Sequence, residues 1–147
     1  MNFDKISDQF CSSFGLGYIS KFPGTLASIV ILPVVWLIKS SFGLSALLFF
    51  IFFFSILSYF FIALSINKKK DKDPSSIIVD EYIGQSIALI YCNEVIFEYL
   101  IAFILFRFFD IVKPFPINLL NKIKNAFGVL IDDVVAGIVV CIIFYLY

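Results

Sequence analysis

Residues 40–67 form a run of 28 positions without a single charge. A hydrocarbon core about 30 Å thick is crossed by roughly 20 helical residues, so this run is read as a transmembrane helix and the rest of the chain must fold around a lipid-embedded segment. Composition agrees: 61% of residues are apolar and 15% charged, where soluble domains average about 45–50% and 25%. A second uncharged run, residues 22–38, carries Pro23 at a natural first-turn position and Pro33 in its interior, where a kink is expected. The N-terminus does not read as a cleavable signal. Asp4, Lys5 and Asp8 precede a glycine-containing stretch, not an apolar core with a small-residue cleavage site.

The other apolar segments are interrupted or short. Residues 82–106 contain Asn93, Glu94 and Glu98, and charge is costly at mid-bilayer, so a helical hairpin or re-entrant segment is expected there. Residues 134–147 number only 14; the last helix reaches a full span if it begins near Gly128, with Asp132 and Asp133 in its first turns. The expected fold is all-α: a small polytopic helical membrane protein of one domain, 1–147. It has about three to four membrane-embedded helical segments, with spans near 24–39, 42–66 and 128–147 and a hairpin at 82–106. Lys and Arg accumulate in cytoplasmic loops. An even number of crossings between Glu81 and Arg107 puts ten of the eleven basic residues on one, cytoplasmic, face and leaves Lys39 in an outer turn. The alternative, a plain three-span bundle before Arg107, places Asp80 and Asp110 on opposite faces.

Several classes of chemistry are excluded. No histidine is present, which removes the Ser-His-Asp triad, phosphohistidine nucleophiles and the usual zinc sites. Cys11, Cys92 and Cys141 are far apart in sequence, and none has an arginine six residues on, so neither a disulfide nor a cysteine-phosphatase arrangement is expected. A net charge of zero argues against nucleic acid as a partner. Nothing marks an obligatory protein partner. The 20 phenylalanines read as lipid contact and core packing.

The remaining polar residues fall into four groups. Gly15, Gly17, Lys21, Pro23, Gly24 and Thr25 lead into the first span; such a loop can cradle a phosphate through backbone N–H groups and the lysine, or simply start a helix. Asp73 and Pro74 precede Asp80, Glu81 and Gly84, acids that either cap a helix or offer hard oxygen ligands for Mg²⁺. Arg107, Asp110 and Lys113 follow at three-residue steps before Pro114 and Pro116. An intrahelical ion pair accounts for Arg107 and Asp110, but not for the chain's only arginine ending an apolar helix beside a second cation. Last come Gly128, Asp132, Asp133 and Gly137; adjacent carboxylates repel unless a cation neutralises them. Acids from three segments with cations beside them suit Mg²⁺-assisted phosphoryl chemistry.

In order and spacing these four motifs resemble the phosphatidylglycerophosphatase A family, small bacterial membrane phosphatases that make phosphatidylglycerol from its phosphate monoester. The matching positions also include Ser28, Phe106, Phe109 and Ala136, and run from about residue 14 to the C-terminus. Val112 departs from the aromatic expected before Lys113. The resemblance implies an Mg²⁺-dependent lipid phosphatase, acting on phosphatidylglycerophosphate at the inner membrane with its site toward the cytoplasm. It maps the family's acidic residues onto Asp80, Glu81, Asp110, Asp132 and Asp133, and its basic ones onto Arg107 and Lys113. On this reading Asp80, Glu81, Asp132 and Asp133 hold Mg²⁺, and Asp110 is a further ligand or the general base. Arg107 and Lys113 grip the phosphate, assisted by Lys21 and the backbone of Gly24 and Thr25.

Two other readings are carried forward. A small transporter or assembly subunit with a carboxylate ion relay predicts acids spread through the depth of the membrane, whereas here the densest groups flank the spans. A phosphotransferase using a cytidine-diphosphate lipid requires an Asp-Gly-x-x-Ala-Arg pattern that is missing.

Overall fold

A computed structural model describes residues 3–66, 76–115, 117–120 and 122–147, and all regular structure among them is helical. The elements are α1 (Phe3–Cys11), α2 (Leu16–Ile19), α3 (Pro23–Ile66), α4 (Val79–Ala88), α5 (Ile96–Val112), α6 (Ile117–Leu120) and α7 (Ala126–Leu146). Two of them, α3 and α7, are long and apolar enough to cross a membrane.

α3 begins at Pro23, where the missing N–H has no intrahelical partner to lose. Its dihedrals stay helical through Pro33 and break at Gly43 (φ 79°, ψ −178°), a conformation open to glycine and strained for other residues. The chain folds back there, since Val30, Ile31 and Val34 line one cavity together with Phe50 and Phe54. The two arms, 23–42 and 44–66, therefore run antiparallel. The outer side of the second arm exposes Phe49, Phe52, Phe53 and Phe60, a surface suited to lipid.

The break in helical dihedrals lies at Gly43, while Pro33 keeps helical values. One expectation is corrected here. Lys39 is not in an outer turn. It lies within the first arm, 8% exposed, and its ammonium donates to the carbonyls of Leu89 and Ile90, each at 3.2 Å, and to that of Cys92. These carbonyls lie in the turn just past the C-terminal end of α4, where a cation is favoured.

α4 is the central helix, with every residue but Glu81 buried. It runs from the start of α3 towards Lys39; the chain then turns, and α5 runs back. The residues that interrupt the apolar pattern build this turn. Glu98 accepts from the Asn93 backbone N–H (2.6 Å) and side chain (2.9 Å), and Trp36 donates to the Glu94 carbonyl (3.4 Å). α4 and α5 thus form a pair of helices joined by a turn at residues 89–95, over the stretch where a hairpin is expected. α5 stops at Lys113, which takes a left-handed conformation (φ 45°) before Pro114.

α7 starts at Asn125, whose side chain accepts from the Gly128 N–H at 2.8 Å. Its 21 residues make about 31 Å, a full span, with Asp132 and Asp133 in the second turn. α4 and α7 cross at glycine: a Cβ on Gly84 would lie 2.6 Å from the Asp133 carbonyl oxygen, and one on Gly137 would meet the Gly84 carbonyl. α1 is held to the end of α3 by Phe10 stacked on Phe61 (4.6 Å) and by Ser65 donating to Asp8 (2.6 Å).

Candidate active site

Four elements bring their ends together. The first turn of α4 supplies Asp80 and Glu81, the second turn of α7 supplies Asp132 and Asp133, the C-terminal end of α5 supplies Arg107, Asp110 and Lys113, and the first turn of α3 supplies Gly24 and Thr25. The link between α3 and α4 is close: a Cβ on Gly24 would run into Glu81 Oε1 and lie 3.1 Å from Arg107 Nη1. Asp80 and Asp110 therefore belong to one end of the hairpin. Asp73, Pro74 and Pro116 lie outside the described residues.

Carboxylate oxygens of Asp80, Glu81 and Asp133 lie within 4.8 Å of one another. Asp80 and Asp133 are buried, and Asp80 Oδ1 and Glu81 Oε2 are buried atoms without a hydrogen-bond partner. Neither acid caps α4, whose N-cap is Ile78 with no side-chain hydrogen bond. Burial pushes the Asp80 carboxyl well above the usual carboxylate range, and the charges of Glu81 and Asp133 add to it. Burial also raises Glu81, although Arg107 pulls the other way. Three crowded carboxylates, two of them with a buried unpaired oxygen, are a donor set that fits a hard divalent cation such as Mg²⁺.

Asp132 faces elsewhere. It pairs with Lys113, and its Oδ1 accepts from the Asp133 N–H at 3.1 Å. Arg107 Nη1 lies 2.7 Å from Asp110 Oδ2, and Lys113 lies 3.8 Å from Asp110 Oδ1. Burial disfavours the Lys113 ammonium, but the hydrogen bond and charge of Asp132, with Asp110 behind, hold its pKa above the ordinary lysine value. Three of the four acids read as metal ligands thus converge, while the fourth and Asp110 engage the two cations. Five carboxylates surround two cations here, an excess of negative charge that a bound cation would offset. Arg107 Nε is a further buried donor without a partner.

Gly24 and Thr25 precede the first intrahelical bond of α3, from Leu26 N–H to the Phe22 carbonyl (3.1 Å), so their N–H groups belong to the free first turn. Lys21 is exposed in the turn before them. Gly15 takes a left-handed φ of 98°, and Gly17 packs on the Ser76 carbonyl; these two glycines serve the turn and the packing beneath the site. Sequence reasoning did not single out Asn125 or Gln85. The latter is a polar residue one turn after Glu81 on α4, a signal that was available.

Residues 9–147 match the family model for phosphatidylglycerophosphatase A. The chain is 37% identical over 136 residues to a Haemophilus influenzae phosphatidylglycerophosphatase A, covering 90% of this chain and 82% of the relative. It is 36% identical over 137 residues to a Bacteroides thetaiotaomicron protein provisionally named a phosphatidylinositol-3-phosphatase, covering 86% of this chain and 84% of the relative. An Escherichia coli phosphatidylglycerophosphatase A is 36% identical over 75 residues, 50% of this chain and 44% of the relative. No solved structure matches.

Proposed function

The chain belongs to the phosphatidylglycerophosphatase A family, and from that premise we propose that it hydrolyses the phosphate monoester of phosphatidylglycerophosphate, giving phosphatidylglycerol and phosphate. The observation that carries this reading is the convergence of Asp80, Glu81 and Asp133 beside Arg107, at the point where α3, α4, α5 and α7 meet. A carboxylate relay for transport needs acids along the depth of the bundle, and these are gathered at one end.

In the proposed mechanism Asp80, Glu81 and Asp133 hold Mg²⁺, with Asp132 behind them on Lys113. The bound ion would polarise the phosphoryl oxygens and offset their charge. Arg107 presents a planar guanidinium suited to two phosphate oxygens at once, and Lys113 adds a second positive charge. The free N–H groups of Gly24 and Thr25 receive a further oxygen, and Lys21 draws the anionic headgroup to the rim. Asp110 keeps Arg107 and Lys113 directed at the phosphate and serves as general base for the attacking water. The protein is multi-pass in the bacterial inner membrane with this end in the cytoplasm, a placement supported by Lys21, Arg107, Lys113, Lys122 and Lys124 at the site end against Lys39 alone among described basic residues at the other.

The test is phosphate release by the detergent-purified protein, with Mg²⁺ and with EDTA. We expect release from phosphatidylglycerophosphate that EDTA stops and that Asp133→Asn reduces to background while the variant stays folded. Faster release from phosphatidylinositol 3-phosphate would move the substrate assignment to the inositol lipid, as the name of the Bacteroides relative suggests. Release from neither lipid by folded protein would reject the phosphatase reading.

A further inference from the structure

Gln85 lies one helical turn beyond Glu81 on α4, and its side chain is fully buried. Neither its Nε2 nor its Oε1 has a hydrogen-bond partner. A carboxamide offers two donors and an acceptor, and a buried one left unpaired loses its hydration with nothing in return. Among the described residues it is the one buried carboxamide with both polar atoms unpaired. An apolar side chain of the same size would sit in this helix at lower cost, so the amide calls for a partner.

The other unpaired side-chain atoms on α4 are acceptors, Glu81 Oε2 and Asp80 Oδ1. Residues four apart on a helix have Cβ atoms about 5–6 Å from each other, so Gln85 and Glu81 share one edge of α4, within reach of a side-chain hydrogen bond. Glu81 already meets Gly24 and Arg107 on its Oε1 side, which leaves Oε2 for a donor from below. The hydroxyl of Ser28, one turn beyond Gly24 on α3, is already engaged, donating to the Gly24 carbonyl at 2.9 Å.

We propose that Gln85 is a positioning residue: its amide, unpaired in this structure, donates to Glu81 once that carboxylate turns to a divalent cation shared with Asp80 and Asp133, and so fixes its orientation. This rests on the metal reading given above and extends it to a residue that touches neither metal nor substrate. Hydrogen bonds of this kind behind ligating groups are worth 10–100-fold in metal affinity.

The experiment measures Mn²⁺ binding to the purified full chain by electron paramagnetic resonance, together with thermal unfolding in the absence of metal. Gln85→Met keeps the length and removes the donor; Gln85→Asn keeps the amide and withdraws it by one methylene. We expect both variants to unfold at or near the wild-type temperature without metal and to need about tenfold more Mn²⁺ for half-saturation. A merely structural role would lower the unfolding temperature and leave half-saturation unchanged, and that result in either folded variant overturns the proposal. Absence of Mn²⁺ binding by the wild type would overturn the metal reading itself, and this inference with it.

Discussion

A single methyl group at Gly24 separates the demands of the site from those of the fold. The added Cβ would meet the Glu81 carboxylate and Arg107 Nη1, ends of long side chains that can swing away, so the backbone of α3 need not move. The cost therefore falls on the arrangement of charge. Displacements of about 1 Å at a reacting centre lower rates as much as 10²-fold. Gly24→Ala is expected to reduce kcat/KM by at least tenfold while its unfolding temperature in detergent stays near that of wild type; wild-type turnover would remove Gly24 from the site. At this scale the identities of the charged residues were legible in the sequence, because a charge in so apolar a chain needs a reason. Their pairing was not. Asp132 and Asp133 are adjacent, yet they differ by about 100° around α7, and which one turns to Lys113 and which to Asp80 depends on where the neighbouring helices stand.

The crossing of α4 and α7 tests the elements. A Cβ at Gly84 would lie 2.6 Å from the Asp133 carbonyl oxygen and 2.6 Å from the Phe106 ring. Backbone and a fully buried ring cannot swing away, so Gly84→Ala must push the two helices apart. Overpacking of this kind costs about 1–3 kcal/mol, and here it also separates Asp80 and Glu81 from Asp133. Denaturation in detergent should show that loss together with loss of phosphate release. Wild-type stability would mean that the helices do not approach this closely. The existence of α3, α7 and the hairpin was readable from runs without charge, as was the start of α7 near Gly128. The sequence reading left Lys39 in the outer turn, whereas the break of α3 stands at Gly43. In the fold the Lys39 ammonium is met by the carbonyls of Leu89, Ile90 and Cys92 in the turn after α4, partners that exist only once that turn has formed.

For the whole molecule, the helices define two ends. One carries the carboxylate cluster, with Lys21 before α3 and Lys122 and Lys124 before α7. The other carries the Gly43 turn, Lys39 with the α4–α5 connection, and the C-terminal end of α7, where Tyr145 packs on Tyr91 with ring centroids 5.0 Å apart. On the proposed topology α3 and α7 cross the bilayer, each end faces one aqueous side, and the excess of lysine and arginine at the site end is the reason for proposing that this end faces the cytoplasm. Single cysteines placed in a background lacking Cys11, Cys92 and Cys141 test this directly. Cysteines at the exposed positions Lys21 and Lys122 should resist a membrane-impermeant maleimide added to intact cells and react after permeabilisation. Cysteines at Ser41 and Glu94, exposed at the opposite end, should react before it. Labelling of Lys21 and Lys122 from different sides would mean that the segments between them cross the membrane an odd number of times. Either the arms of α3 or the α4–α5 pair would then fail to return to one side, and a site shared by Gly24, Glu81, Arg107 and Asp110 would have to be abandoned along with the orientation.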